Sequence, residues 1–369
     1  MDFGVGLLNY AGCWDDAAFA EEHGFASAGF VDSPLNNGDP FAAMALTAQA
    51  TDHMRLGTFL NIPSLRTAAS TASALSTINA IAPGRVFYGT GTGDTGRGTF
   101  GIPAMSAQNV ATYATQVRNL MTGEEVVHHH AGRHTQVRSA NSDFVRNNLE
   151  NPVPIYFAAD GPKAFRATAE VADGWIATLA KQGSNTMASS PDFFARSLAS
   201  IQKEAADLGG SFDDPYSIWT TAVCILEPGE SAVSPRALAR TGPMATFPFH
   251  AYGCHPEIGQ FFPPVLAERL EIYENEVLAK LPVPRELFYQ YVHAGHLSHL
   301  LDGEALVLTE EIVRMTTLTG TVEEVAGVLH ELERLGLRNV SLWIPPAVFT
   351  EVVVEVETQL MPALAGASA

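Results

Sequence analysis

Short runs of β-forming residues alternate along the chain with longer stretches that have helical periodicity. This order is typical of a parallel sheet whose strands are joined by helices. Because eight runs recur with helices between them, the pattern predicts a closed (β/α)8 TIM barrel rather than an open sheet. The predicted strands are Phe3–Leu8, Ala28–Val31, Arg55–Leu60, Arg85–Gly89, Val153–Ala158, Gly174–Leu179, Ile218–Leu226 and Asn339–Ile344.

Capping and turn residues bound the helices between these strands. Gly24 follows a helical stretch, Asp39-Pro40 opens the next one, and Pro83-Gly84 closes a third. A hairpin is predicted where the periodicity changes after the fourth strand. The predicted helices cover 14–23, a stretch from residue 40, 67–82, 107–122, 162–171 and 347–360, and the hairpin covers 124–140.

The longest connection lies between the seventh and eighth strands. Residues 227–316 are mostly helical in pattern, with turn signals at Pro263-Pro264 and Pro282. Neither end carries a Gly/Ser-rich or charged spacer, so we expect an insertion within the barrel rather than a linker to a second unit. Residues 1–369 are therefore predicted to form a single barrel domain that carries this helical insertion.

The composition agrees with a large packed core, because 46% of the 369 residues are hydrophobic and 17% are charged. The chain has neither a long unbroken apolar run nor a basic leader followed by one, so we expect a soluble cytoplasmic protein with no membrane partner. Cys13, Cys224 and Cys254 are far apart, which favours neither a disulfide framework nor a cysteine-rich zinc module.

The charge balance excludes one class of partner. The chain has 21 Lys and Arg against 40 Asp and Glu, a net charge of −19, and it lacks clustered cations. Nucleic-acid binding rests on such clusters, so it is not expected here.

Polar residues follow several predicted strands. In a parallel barrel the carboxyl ends of the strands and the loops after them share one rim, where such folds bind ligands. Asp32, Asn61, the loop after Gly89 and the loop over 158–163 are therefore expected to converge. A carboxylate at a strand end, such as Asp32, is either paired, exposed at the rim or chemically active.

The loop after the fourth strand contains the pattern G-x-G-x-x-G over Gly91–Gly96. A dinucleotide-binding βαβ unit is not supported, because further glycines and Pro103 follow before any long helix begins. Two interpretations remain open. Backbone N–H groups and threonine hydroxyls could approach a flat or anionic ligand, or the segment could be a barrel turn without a ligand.

A second candidate loop joins the fifth strand to its helix. Gly161 turns the chain and Pro162 suits the first helical position, so a phosphate could bind at this helix N-terminus with Lys163 nearby. Asp160 would oppose a phosphate there, or would cap the helix.

Two groups of histidines were weighed as metal ligands. His128, His129, His130 and His134 fall in the predicted hairpin, where neighbours point to opposite faces. His293, His296 and His299 would spread around a helix, and no carboxylate accompanies them at a recognised zinc spacing. We therefore expect no metal site, and one of the latter group, His293, is predicted to line the pocket as a proton donor or acceptor.

Taken together, several segments resemble the bacterial-luciferase-like oxidoreductases, which use FMN or a deazaflavin coenzyme on a (β/α)8 barrel. The resemblance covers most of the chain. A region at 32–51 is also similar to the deazaflavin-using methylenetetrahydromethanopterin reductases of this family. The segments that carry the resemblance are MRLGTFLNIPSLRT at 54–67, APGRVFYGTGTGDTGRGTFGI at 82–102, NPVPIYFAADGPKAFRATAEVADGWI at 151–176 and TLTGTVEEV at 317–325.

The resemblance implies a position for each candidate residue. Asp32 and Asn61 would lie near the isoalloxazine, and a non-proline cis peptide would fall at Phe59-Leu60 or Leu60-Asn61. The chain departs from the family at Asp160, where a small hydroxyl residue is common, and at Ser33, where deazaflavin users often carry histidine. The other implied cofactor-binding residues are Thr92, Gly93 and Asp94 along the ring or ribityl chain, and Ala159, Asp160, Gly161 and Lys163 near the phosphate.

The first hypothesis for function is a monooxygenase that receives reduced FMN from a separate reductase and uses O2 to oxygenate a small organic substrate. A homodimer is expected from the resemblance. Asp32 and His293 are the candidate catalytic residues. The alternatives are a hydride-transfer enzyme that uses the deazaflavin coenzyme F420, a barrel without cofactor that acts as a binding or structural subunit, and a metal-dependent hydrolase. The residues expected to form a substrate lid are Phe247, Phe249, Tyr252, Phe261 and Phe262.

Overall fold

The computed structural model describes residues 1–63, 65–130, 132–177 and 190–366. Within these ranges, eight parallel strands close into a barrel with helices between them, which confirms the predicted fold. We number the barrel strands β1 to β8 in chain order. They are Asp2–Leu7, Ser27–Phe30, Arg55–Thr58, Val86–Thr90, Ile155–Ala158, Gly174–Ala177, Tyr216–Thr221 and Asn339–Trp343.

One strand prediction differs from the structure. Ile218–Leu226 was predicted as a single strand, but β7 ends at Thr221 and a separate strand, Val223–Ile225, pairs with Leu318–Gly320 outside the barrel. The run therefore contributes one strand to the barrel and another to a two-stranded sheet, and sequence periodicity cannot separate the two. The predicted end of the sixth strand, at residue 179, lies outside the described residues.

The helices begin at residues suited to cap them. The carboxylate of Asp39 accepts N–H bonds from Phe41 and Ala42, and Thr321 and Glu324 form a reciprocal capping box. The predicted hairpin is present, with strands Val126–His130 and Arg133–Val137. The α-helices are Cys13–Glu22, Pro40–Ala50, Ala68–Ile81, Asp94–Gly98, Ala107–Met121, Ser142–Glu150, Pro162–Val171, Pro191–Asp207, Pro235–Ala245, Phe247–Cys254, Pro264–Ala267, Leu270–Glu276, Glu310–Thr316, Val322–Arg334, Phe349–Glu355 and Met361–Gly366.

The insertion has a hydrophobic core of its own. Phe249, Tyr273 and Val292 are among its fully buried members. A separate hydrophobic cluster joins the insertion to the barrel, because Met244 and Leu297 pack with side chains from the barrel interior. The insertion is thus anchored over the carboxyl ends of the strands. Among the described residues, no helix is both long and apolar enough to cross a membrane.

Aromatic rings fill the barrel interior, and strand glycines make room for them. A Cβ atom on Gly57 would lie 2.1 Å from Cε2 of Phe87, and one on Gly29 would lie 2.1 Å from Cδ2 of Phe59. Arg55 stacks its guanidinium over Tyr216 at 4.3 Å from the ring centre and also hydrogen-bonds the hydroxyl of Tyr156. The glycines are therefore required by the packing of the interior.

We expect Gly57→Ala to destabilise the protein by about 1–3 kcal/mol or more, because Phe87 would have to leave its place in a packed core. Gly327→Ala is the matched control. Its Cβ would meet nothing within 4 Å inside helix Val322–Arg334, so this change should stabilise by about 0.5–1 kcal/mol. Chemical denaturation of both variants measures the difference. Equal stability of the two variants would contradict this account of the interior.

Candidate functional site

A pocket of about 1100 Å3 opens at the carboxyl ends of the barrel strands, beneath the insertion. Loops after four consecutive strands, β2 to β5, form one side, and the insertion forms the other. This is the rim at which the sequence predicted convergence. The lining residues are Val31, Asp32, Ser33, Phe59, Leu60, Ile62, Thr92, Gly93, Asp94, Thr95, Gly96, Ala158, Asp160, Ala164, Ile176, Thr220, Met244, Phe247, His296, Leu297 and Trp343.

A buried hydrogen-bond network holds Asp32 in the wall of this pocket. Nδ2 of Asn61 donates to Oδ2 of Asp32 at 2.7 Å, and the backbone N–H of Ile62 donates to the same oxygen at 3.2 Å. The hydroxyl of Tyr88 donates to Oδ1 of Asn61 at 2.9 Å, which fixes the amide. Asn61 itself does not line the pocket, so it acts by positioning Asp32.

The carboxyl group of Asp32 is 2% exposed. Burial raises the pKa of Asp32, and the bonds from Ile62 and Asn61 and the charge of Arg66 oppose that change only in part. Both donors bind Oδ2, which leaves Oδ1 as the oxygen that can meet a ligand. A carboxyl group with a raised pKa beside a cavity is a candidate acid or base.

The glycines of the loop after β4 are explained by contacts within the protein. Gly93 has a φ of 75°, which residues with a side chain rarely adopt. A Cβ atom on Gly96 would lie 2.1 Å from Cδ1 of Ile62. The loop forms a short helix, Asp94–Gly98, pressed against Ile62. It still lines the pocket with Thr92, Gly93 and Asp94.

The loop after β5 brings only part of the predicted phosphate site to the pocket. Asp160 lines it, whereas Ala159 is buried and its carbonyl accepts a bond from Nε1 of Trp175 at 2.9 Å. Gly161 occupies the N-cap position of helix Pro162–Val171. Gly161 and Lys163 lie beside the pocket rather than in its wall, and the side chain of Lys163 is exposed.

The insertion covers the pocket with fewer aromatic residues than expected. Among the five described side chains predicted as a lid, Phe247 lines the pocket. Phe249 instead packs in the core of the insertion, 5.4 Å from Tyr273 between ring centres, and Phe261 is 51% exposed. Met244 and Leu297 complete the cover.

His296 lines the main pocket, whereas His293 does not. Nε2 of His293 lies 3.5 Å from Sγ of Cys254. Residues 293–299 were predicted to be helical, but the structure forms consecutive turns there, with a φ of 61° at Leu297. The apolar and polar spacing of so short a segment cannot distinguish the two. The expected cis peptide is found at Phe59-Leu60.

The profile of the luciferase-like monooxygenase family matches residues 10–339. A 5,10-methylenetetrahydromethanopterin reductase of Archaeoglobus fulgidus is 27% identical over 325 residues, which are 87% of this chain and 86% of that protein. A reductase of the same name from Methanolobus tindarius is 32% identical over 162 residues, 43% of this chain and 47% of that protein. An F420-dependent glucose-6-phosphate dehydrogenase of Gordonia bronchialis is 30% identical over 206 residues, 52% and 57% of the two chains. For the last two relatives, the match spans about half of their length.

A solved structure shows the same fold over the full length. The coenzyme F420 dependent tetrahydromethanopterin reductase from Methanopyrus kandleri superposes with a TM-score of 0.68 at 18% identity, covering 98% of this chain and 99% of that chain. The family profile covers most of the sequence, including the segments that build the pocket wall. The chain therefore belongs to the luciferase-like monooxygenase family.

Proposed function

We propose that the protein is an oxidoreductase that transfers a hydride between a deazaflavin coenzyme, F420, and a small organic substrate. Two of the relatives reported above are named for F420 dependence. The observation that carries the proposal is a pocket at the carboxyl ends of the strands whose wall holds one buried carboxyl group with an available oxygen, Asp32.

The pocket residues fit such a coenzyme. Leu60, Ile62 and Ala158 offer apolar surface to a flat ring, and the loop over 92–96 offers backbone N–H groups beside it. The N-terminus of helix Pro162–Val171 starts at the pocket edge, where the exposed ammonium of Lys163 would attract a phosphate. When bound, the coenzyme would supply the hydride chemistry.

The chain's own residues would then orient the reactants and handle the proton. Oδ1 of Asp32 would bind the polar edge of the ring or accept the proton released by an alcohol substrate. Met244, Phe247 and Leu297 would exclude water from the reacting atoms. Because these three side chains and Trp343 are apolar, the substrate is expected to present an apolar face to them.

The FMN-dependent monooxygenase is the second candidate. Ser33 lines the pocket next to Asp32, at the position where deazaflavin users of the family often carry histidine, and this favours FMN. The relatives outweigh this single substitution, which reverses the order of the two hypotheses given by the sequence.

Titration of the full-length protein with oxidised F420 and, separately, with FMN tests the proposal. We expect F420 to bind at least roughly tenfold more tightly, a difference of about 1.4 kcal/mol. Ala158→Phe should fill part of the pocket and weaken F420 binding, whereas Ala199→Phe on the exposed face of helix Pro191–Asp207 should not. Glucose 6-phosphate and methylenetetrahydromethanopterin are the first substrates to assay, by the change in coenzyme absorbance.

Tighter binding of FMN, with O2 consumption by the reduced complex, would replace the proposal with the monooxygenase. Binding of neither coenzyme would favour a barrel that acts without one.

A further inference from the structure

Three histidines from two segments of the insertion converge beside the pocket. His250 lies on helix Phe247–Cys254, and His293 and His296 lie in the turns that follow some forty residues later. His250 is fully buried and His293 is 5% exposed, while His296 is half-buried and reaches the main pocket. Buried polar rings need partners, so this convergence requires an explanation.

The geometry of the three rings matches ligands of one metal ion. Their centres form a nearly equilateral triangle, with separations of 5.6, 5.6 and 5.3 Å, and one ring nitrogen from each lies within 4.8 Å of the others. Imidazoles bound tetrahedrally to one zinc ion place their ring centres roughly 5.2 Å apart and their donor nitrogens about 3.3 Å apart. Nδ1 of His250 and Nδ1 of His296 are 3.4 Å apart.

One ring nitrogen among the three histidines is buried without a hydrogen-bond partner among the described residues. Nδ1 of His293 is buried and forms no hydrogen bond with the residues that the structure describes, whereas Nε2 of the same ring faces Cys254. A neutral imidazole with a free lone pair is the form that binds metal ions.

A buried carboxylate, Glu304, hydrogen-bonds the ring of His250. Nε2 of His250 hydrogen-bonds Oε1 of Glu304 at 2.6 Å, and the other oxygen of Glu304 accepts the N–H of Leu301 at 2.7 Å. Glu304 is fully buried. This contact fixes the proton on Nε2 and turns the lone pair of Nδ1 towards the centre of the cluster, as carboxylates do behind metal-bound histidines.

We propose that His250, His293 and His296 bind one zinc ion or a similar first-row transition metal ion, with Glu304 as the supporting carboxylate. Three nitrogen donors favour such an ion over magnesium or calcium, which prefer oxygen. Three protein ligands leave one coordination position open, as in catalytic rather than structural zinc sites. His296 also lines the main pocket, so the ion would lie next to the proposed coenzyme and substrate site. No metal site was expected from the sequence, because His250 lies 43 residues before His293 in the chain and belongs to neither group of neighbouring histidines.

The site is tested with Co2+ as the probe. Full-length protein is first treated with a chelator to remove bound metal, and the chelator is then removed. We expect one Co2+ per chain and the visible absorption of a four-coordinate ion, and Zn2+ should displace it. His293→Asn and His250→Ala should each weaken binding by at least roughly 100-fold, and Glu304→Gln by about 10–100-fold. Circular dichroism and thermal unfolding of each variant verify that it is folded.

Two control variants separate this cluster from other histidines. His299→Ala changes an exposed ring on the same segment and should leave Co2+ binding unchanged. A His129→Ala/His134→Ala variant removes the paired rings of the hairpin and should also leave it unchanged. The proposal is overturned if less than one tenth of a Co2+ ion binds per chain, if the hairpin variant abolishes binding, or if folded His293→Asn binds as the unaltered chain does. F420 binding is measured on the metal-free protein, so the two proposals fail separately.

Discussion

The Asp32→Asn variant is expected to lose activity and to gain stability at neutral pH. Asparagine can accept the bonds from Asn61 and Ile62 through its side-chain oxygen, so the local structure is kept. It cannot carry a proton to or from the pocket, and we expect the rate of hydride transfer to fall by roughly 100-fold or more. If the proposed function is correct, F420 binding should change far less than this rate.

The gain in stability follows from the raised pKa of Asp32, which is caused mainly by burial. The folded protein holds this proton more tightly than the unfolded chain does. The stability that the proton provides is complete below the unfolded value of 3.8 and is lost as the pH rises through the raised folded value. Asp32→Asn should therefore be more stable than the unaltered chain at pH 7, and the difference should vanish below roughly pH 4. Urea unfolding at several pH values measures it.

Asp39→Asn is a control of opposite sign. Although burial acts against it, the N–H of Ala42 and the guanidinium of Arg66 lower the pKa of Asp39. The contribution of this carboxylate to stability is present above its unfolded pKa and is lost as the pH falls through the folded value. The Asn variant should thus be less stable at pH 7 and equal to the unaltered chain in acid. If both variants shift the free energy of unfolding in the same direction, burial is not the main cause of the pKa shift of Asp32.

The barrel and one side of its pocket could be predicted because both depend on local patterns and on one geometric rule. Alternating strands and helices give the barrel, and its closure brings the carboxyl ends of the strands together. Asp32, Thr92, Gly93, Asp94 and Asp160 all follow strands directly, and all line the pocket. Trp343 is the last residue of β8, so the same rule would have predicted that it lines the pocket.

The other side of the pocket depends on long-range packing that no local pattern records. Met244, Phe247 and His296 belong to an insertion whose helices are short and whose turns resemble helices in sequence. The histidine cluster joins residues 43 and 46 positions apart, as the numbering of His250, His293 and His296 shows. Only the folded insertion brings one ring nitrogen of each within 4.8 Å of the others.

An ion-pair cluster holds this insertion to helix Phe349–Glu355, and the buried Arg240 is its centre. The side chain of Arg240 is 1% exposed, and it pairs with Glu355, which is 14% exposed, at 2.5 Å and also with Glu351. Arg236 pairs with Glu230 and reaches Glu355 at 3.4 Å. These contacts join helix Pro235–Ala245 to helix Phe349–Glu355, and the first of these helices carries Met244 into the pocket wall.

We expect Arg240→Met to lower the free energy of unfolding by about 1–3 kcal/mol, because the half-buried Glu355 would lose its nearest cation and keep only Arg236, at 3.4 Å. Replacing both partners, in Arg240→Met/Glu355→Met, removes the weakly paired charge and should recover all but about 1 kcal/mol. Arg314→Met breaks an exposed pair with Glu324 and should cost less than about 1 kcal/mol. Denaturant unfolding of the three variants gives these values. A loss in Arg240→Met no larger than that in Arg314→Met would show that apolar packing, rather than this ion pair, holds the insertion over the pocket.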